Sequence, residues 1–287
     1  MASNQPRPTK AERREAARAK ARALREEEER RERRARITRR SLLGIGGLAV
    51  AGTVAAVVVN GRNDESKTPG GAIVTDNAGG KGVPATIRAD GSLVFGPDLT
   101  PGTSTDGAQN LHIYFDYACH HCADFEILHN SEIETLLGEG TINLVLHPSR
   151  LLQSSWSDMV CNGLGVVLDQ EPASAMAFHL AAMTRFSEIY ASADFSTLTA
   201  ESVVQAATEA GVSEAVVEQI TAAVTENTYG AWLDLGDKTF LDLGIGTTPT
   251  VYLGKEKLDL ASISTQTGIT DHLQAGADSA PRETSAQ

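Results

Sequence analysis

The chain has 287 residues, 41% of them hydrophobic, and a formal net charge of -12. That length accommodates one sizeable domain with appendages, and three cysteines are too few for a disulfide-stapled mini-fold, so a hydrophobic core must supply the stability. The charge is split: residues 1–40 carry fifteen Lys and Arg against seven Glu, the remainder ten against thirty Asp and Glu, and this acidic bulk excludes nucleic-acid binding.

Residues 1–40 are rich in Arg, Glu and Ala, with high helix propensity from Ala11 to Arg36 but no apolar face to dock. They read as a charged cytoplasmic tail, with a partner-binding helix as the sharper alternative. Residues 41–60 read as a transmembrane signal-anchor. The uncharged run Leu42 to Val59, at about 1.5 Å per residue, reaches about 27 Å, enough to span a bilayer. Arg36, Arg39 and Arg40 crowd its N-terminal side, which puts the N-terminus in the cytoplasm and the rest of the chain outside. Thr38-Arg39-Arg40-Ser41-Leu42-Leu43 also resembles a twin-arginine export signal, so a cleaved leader is the alternative. Both deliver the remaining chain to the same side.

Residues 61–109 read as a linker, Gly-, Asn- and Pro-rich, holding a small β-hairpin in which residues 85–88 and 92–95 flank Asp90-Gly91. A strand is expected at Leu111–Phe115, then a helix over about 120–137, then a strand at Thr141–Leu146 ended by Pro148. Helical periodicity runs from 150 to 243, broken at Glu171-Pro172, Ser192–Leu198, Gly211 and Asn227, which predicts about five helices. A short β run, Thr248 to Leu253, turns at Gly254-Lys255 into Lys257–Leu260, and Ile269–Ala275 reads as a last helix before a flexible tail at 277–287.

The chemistry lies in Cys119-His120-His121-Cys122, two cysteines three apart at the point where a strand gives way to a helix. A helix N-terminus lowers the first thiol's pKa, so Cys119 is expected to be a nucleophilic thiolate. Cys122, one turn further in, is expected to be the buried resolving thiol. Strand, Cys-x-x-Cys, helix, strand, helices, and then Thr-Pro before a strand is the order of the thioredoxin fold. Phe115-Asp116-Tyr117-Ala118-Cys119-His120-His121-Cys122-Ala123-Asp124-Phe125 and Gly246-Thr247-Thr248-Pro249-Thr250-Val251 together resemble the DsbA-like thiol–disulfide oxidoreductases, in particular the membrane-anchored actinobacterial forms.

That resemblance implies an α/β thioredoxin fold at 110–149 and 244–276 with an α-helical domain inserted at 150–243. It implies an extracytoplasmic oxidase that introduces disulfide bonds into exported proteins. Its partners would be reduced or unfolded exported chains and a quinone-linked membrane oxidase of DsbB or VKOR type, with the membrane engaged through the N-terminal helix of a single-pass protein. Cys119, Cys122, His120 and His121 would be catalytic, and Thr248 with a cis Pro249 would receive the substrate strand. His121 stands where the family carries histidine, and His120 stands where it usually has proline. A reductase or isomerase of the same fold is the alternative. The pair of thiols and imidazoles also suits copper or zinc, although adjacent residues at a helix start cannot easily complete a tetrahedron. No cofactor and no metal site are expected.

Cys161, in a helical run, reads as a small buried hydrophobe, with a third redox role as the alternative. His112, His147 and His179 read as isolated core or surface histidines. Asp116 and Asp124 read as capping or solvated groups, with a proton-relay role for Asp116 as the sharper option.

Overall fold

The computed structural model describes residues 68–279. The expected tail at 1–40, the expected membrane segment at 41–60 and residues 280–287 lie outside the described residues. In chain order the elements are β1 (Leu93–Phe95), β2 (Gln109–Phe115), α1 (His120–Gly138), β3 (Ile142–Pro148), α2 (Ser155–Gln170), α3 (Ala175–Ser192), α4 (Ala200–Glu209), α5 (Glu214–Glu226), α6 (Gly230–Leu243), β4 (Thr250–Leu253), β5 (Glu256–Lys257) and α7 (Gly268–Ser279). No helix among the described residues is long and apolar enough to cross a membrane.

The strands form one sheet in the order β1-β3-β2-β4-β5. β2 and β3 are parallel, with Leu111 opposite Leu144 and Phe115 opposite Pro148. A parallel pair needs a crossover, and α1 supplies it. β1, β4 and β5 pair antiparallel with their neighbours. Pro148 has no N–H to donate, and it ends β3 beyond the reach of β1, which pairs only with Leu144 to Leu146.

Alternation along β2 sorts its side chains to two faces. Leu111, Ile113 and Phe115 enter the large core with Phe125, Ile133 and Leu137 of α1. Tyr114 enters a second cluster with Phe240 of α6 and Ile245. β3 is buried along its whole length, as a central parallel strand covered on both faces must be. The helices between β3 and β4 form a mixed α/β thioredoxin-like fold with the sheet. Within them α2 packs on α5, while α3 lies along α1 and brings this helical block against the Cys-x-x-Cys helix.

Two expectations for the segment before β2 need correction. The anticipated hairpin is only a tight turn. Gly91 N–H donates to Arg88 O and Arg88 N–H to Ser92 O, with Asp90 Oδ1 accepting from Ser92 N–H at 3.0 Å. Residues 93–95 then pair with β3 instead of with 85–88, because the edge of β3 offers a longer apolar ladder. The stretch from 68 onward is also not a free linker. Gly70 N–H donates to the Tyr114 hydroxyl, and Gly71 O bonds His112 Nε2 at 3.0 Å. A Cβ on Gly70 would lie 2.2 Å from Gly254 O, so the glycine that suggests flexibility is what permits the contact. Further along, Trp232 Nε1–H donates to Gly91 O at 2.8 Å and Thr239 Oγ1 to Asp90 O at 2.7 Å, fastening the segment to α6.

Smaller differences follow local chemistry. β5 covers only Glu256–Lys257, since Asp259 draws the chain into a turn by accepting from Ala261 N–H. α7 runs to Ser279, four residues past its expected end.

Candidate active site

β2 delivers the chain into a turn whose hub is the carboxylate of Asp116. That side chain is fully buried. Oδ1 accepts from Ala118 N–H at 2.9 Å and from the Ser157 hydroxyl of α2, while Oδ2 accepts from Leu152 N–H at 2.7 Å. Asp116 O also accepts from Cys119 N–H at 3.0 Å, which closes the turn and points Cys119 into position. Burial raises the Asp116 pKa, against the pull of the Ser157, Leu152 and Ala118 donors.

Cys119 is the N-cap of α1, with extended φ and ψ of -100° and 113° and no side-chain cap. Its sulfur therefore occupies the place where a capping oxygen would sit, facing the unsatisfied N–H groups of the first turn. The residue is 5% exposed, and its Sγ lies 3.4 Å from Thr248 O. The Cys119 pKa falls to about 6. The first cause is the hydrogen bond from the Cys122 thiol. Burial opposes it, and the Thr248 side chain and the N–H groups of Cys122 and His121 lower it further. Cys122 is 1% exposed, and its thiol is pushed well above the ordinary range, by burial first and by the Cys119 sulfur second. One thiol is thus prepared to ionise and the other to stay protonated. Both are free in this structure.

The Thr248–Pro249 peptide bond is cis. It lies immediately before β4, and Thr250 Oγ1–H donates back to Thr247 O at 2.8 Å, tying the loop into a tight bend. Pairing of β4 with β2 places Thr250 opposite Tyr114, so the loop stands beside the end of β2 where the Cys119 turn begins. A cleft of about 450 Å³ borders Thr247, Pro249, Thr250, Lys257 and Leu258.

The sequence-predicted residues do not all converge. Cys119, Cys122 and Thr248 do; Pro249 follows immediately. His120 instead stacks flat on Tyr190 of α3, centroids 4.2 Å apart and planes 6° from parallel, and His121 is exposed beside it at 3.8 Å between rings. The histidines read as isolated are not isolated. His112 Nδ1 and His147 Nε2 are 3.0 Å apart, because parallel register sets the two strands side by side, and burial depresses both to about 3, leaving them neutral. His179 bonds the Tyr117 hydroxyl at 2.8 Å. Cys161 is fully buried on α2, with its thiol raised by burial. Asp124 is exposed. Tyr190, Ser157 and the Leu152 amide were not anticipated, and no local sequence signal marks them.

A family profile described as Thioredoxin matches residues 103–271. The chain belongs to the thioredoxin superfamily, among the DsbA-like thiol–disulfide oxidoreductases. The structure of MdbA, a thiol-disulfide oxidoreductase from Actinomyces oris, is 39% identical to this oxidoreductase, with a TM-score of 0.68 over 72% of this chain and 99% of that one. The MdbA protein from Corynebacterium diphtheriae, at 16% identity and TM-score 0.50, covers 65% and 90% of the two chains. Oxidised BdbD from Bacillus subtilis, at 15% identity and TM-score 0.53, covers 69% and 100%, and both share the fold. No curated protein sequence matches this oxidoreductase.

The depressed Cys119 pKa makes a signed prediction for the reduced protein. Its folded pKa of about 6 lies below the ordinary thiol value of about 8.5, so the thiolate's stabilisation is complete only above the latter. It declines as pH falls and is gone below about 6. At pH 7, after allowance for solvent screening, it is of order 1 kcal/mol. Urea midpoints of reduced and oxidised protein between pH 5 and 9 test this. The reduced form should gain on the oxidised one as pH rises, and parallel curves would contradict the assignment.

Proposed function

We propose that this protein is a membrane-anchored, extracytoplasmic thiol–disulfide oxidoreductase that introduces disulfide bonds into exported proteins through Cys119 and Cys122. The observation that carries the reading is the asymmetry of the two sulfurs. The Cys119 thiol, at a helix N-terminus and bonded by the Cys122 thiol, has its pKa lowered to about 6, while burial pushes that of Cys122 well up. An environment that favours an ionised, separated pair disfavours the disulfide, and such a disulfide is readily passed on.

A client thiolate attacks Cys119 Sγ of the oxidised protein, and the electron pair of the broken bond leaves on Cys122. A second client thiolate then attacks the client sulfur of the mixed disulfide and releases Cys119 as a thiolate, a good leaving group. The Thr248 backbone and the cleft beside Pro249 are suited to an extended client segment, which would lie within reach of Cys119. His120 and His121 add ring N–H donors at the rim of the site. Reoxidation falls to a quinone-linked membrane partner of DsbB or VKOR type.

The reduction potential, measured by equilibration with glutathione, tests this reading. An oxidase is expected well above the thioredoxin value of about -270 mV, toward the about -120 mV of DsbA. A value near -270 mV defeats it in favour of a reductase. The anchor is tested separately by N-terminal sequencing of the mature protein from membranes, where a start between about 52 and 62 refutes it.

A further inference from the structure

A buried polar assembly lies outside the chemistry of the dithiol. Alternation puts His112 and Tyr114 of β2 on the same face of the sheet as His147 of β3. The three rings form one stack, with centroids 5.3 Å apart between His112 and His147 and 4.2 Å between His147 and Tyr114. Residues 68–71 lie against it as a strap. Gly71 O bonds His112 Nε2 at 3.0 Å, Gly70 N–H donates to the Tyr114 hydroxyl at 3.3 Å, and both glycines are buried.

These bonds admit a single arrangement of protons in the neutral pair. A carbonyl oxygen only accepts, so His112 Nε2 carries its proton and His112 Nδ1 accepts. His147 Nε2, 3.0 Å from that Nδ1, is then the donor, which leaves His147 Nδ1 bare. That atom is indeed buried with no hydrogen-bond partner among the described residues. A third N–H does not fit. It would stand on His147 Nδ1 with nothing to accept it, or set two donors face to face between the rings, and either way a charge is buried. The surroundings give little relief. Phe240 of α6 and Ile245 pack with Tyr114, whose hydroxyl burial keeps protonated, and Tyr252 of β4 meets Tyr114 edge-on. Asp90, in the turn before β1, favours a charge on His112, but burial and His147 outweigh it; burial is what acts on His147.

We propose that the neutral His112–His147 pair is a latch that holds residues 68–71 on the sheet and is released by acid. Lifting Gly71 breaks its bond to Nε2 and opens that nitrogen to water, where a histidine takes a proton near its ordinary value of about 6.5. Held by the strap, His112 protonates only at about 3. A base whose pKa is lowered in the latched state supports that state fully above about pH 6.5, and less and less as pH falls toward 3. One proton taken up on opening favours the open strap tenfold more per pH unit in that window. His147 stays covered, because β3 lies beyond β2 from the β4 side where Gly70 packs. Release stops where the chain is next fastened, at Thr75 O with Arg88 Nη1 and Asp76 O with Ala89 N–H. Residues 68–74, once free, supply about 25 Å of extended chain. In an anchored protein that is added reach from the membrane. This consequence rests on the anchoring proposed above; the latch does not.

Hydrogen exchange on the full-length oxidised chain tests the latch, with the disulfide keeping Cys119 from titrating. Peptides spanning residues 70–71 and, as reference, 111–115 are followed by mass spectrometry between pH 4 and 7.5, each rate divided by the intrinsic rate at that pH. Protection at 70–71 is expected to be constant above about pH 7 and to fall about tenfold per pH unit between about 6 and 4, while 111–115 stays protected. His112→Gln keeps a donor for Gly71 O and cannot titrate, so the slope should vanish. The apolar pair His112→Phe/His147→Leu serves if that variant fails to fold; its strap should be less protected at every pH, again without slope. Protection independent of pH in the wild type overturns the latch, as does a slope that survives in either variant. Loss of protection at 111–115 in step with 70–71 overturns it too, since the whole sheet would then be opening. The dithiol takes no part in this exchange, so the result is independent of the reduction potential.

Discussion

Replacing Cys122 with Ser is expected to leave a protein whose Cys119 attacks an added disulfide and keeps one half of it as a mixed disulfide that the protein itself cannot resolve. Cys122 is the only thiol placed to attack the mixed disulfide among the described residues, since Cys161 is buried on another helix. A serine hydroxyl does not displace a thiolate from a disulfide, so turnover falls by at least about a thousandfold, the scale on which removing a reacting group acts. Capture survives for a specific reason. The largest cause of the low Cys119 pKa is the hydrogen bond from residue 122. A hydroxyl donates more strongly than a thiol, so the serine keeps that bond and Cys119 stays a thiolate. The exchange of sulfur for oxygen removes little volume at a buried site, and the fold tolerates it. Incubation with glutathione disulfide should therefore give a stable adduct of one glutathione per chain by mass spectrometry. The reciprocal variant, Cys119→Ser, leaves only the buried thiol and should give no adduct. Turnover by Cys122→Ser at the wild-type rate, or an adduct on Cys119→Ser, would reverse the assignment of the two roles.

How much of this was legible beforehand depends on the range of the contact. Leu111, Ile113 and Phe115 alternate with polar residues, and the cysteines open a run of helical composition, so the strand–turn–helix could be read from a dozen consecutive residues. The breaks at Glu171-Pro172, Gly211 and Asn227 work by local backbone chemistry, and the helices end there: Asn227 takes the left-handed conformation at φ 49°. The approach of Thr248 O to Cys119 Sγ joins residues 129 apart and depends on β4 pairing with β2. Family resemblance suggested it; periodicity did not. The Glu126–His179 contact, which depends on α3 packing along α1, has no sequence signature at all. Composition misled in one place. Gly70 and Gly71 look like linker, yet small residues also serve where backbone must touch backbone, and the sequence does not distinguish the two uses.

The largest effect on stability among these predictions belongs to Asp116→Ala. The substitution leaves three donors without an acceptor: the buried Ser157 hydroxyl and the partly buried Ala118 and Leu152 N–H groups. Each such loss costs about 1–3 kcal/mol, and because the three share one relaxing turn the sum is less than additive, about 3–5 kcal/mol in all. Asp116→Asn should cost less, about 1–2 kcal/mol, since its oxygen still accepts on one side while its amide confronts a donor on the other. The pH dependence distinguishes a hydrogen-bonding role from mere packing. Burial raises the folded pKa of Asp116 above the unfolded value of about 3.9. The part of this carboxyl's contribution that arises from the raised pKa is therefore fully present below about pH 4 and is lost as pH rises through the folded pKa, while its accepting of the three donors persists. An asparagine cannot titrate. The stability gap between wild type and Asp116→Asn should thus be widest near pH 4 and narrow toward neutrality, whereas a gap independent of pH would mean that the carboxyl does not titrate differently in the folded state. Urea midpoints measured on the oxidised protein keep the Cys119 thiolate out of the comparison. If Asp116→Ala loses less than about 1 kcal/mol at pH 7, the carboxylate is not what holds the turn beneath Cys119, and the backbone bond from Cys119 N–H to Asp116 O must hold it alone.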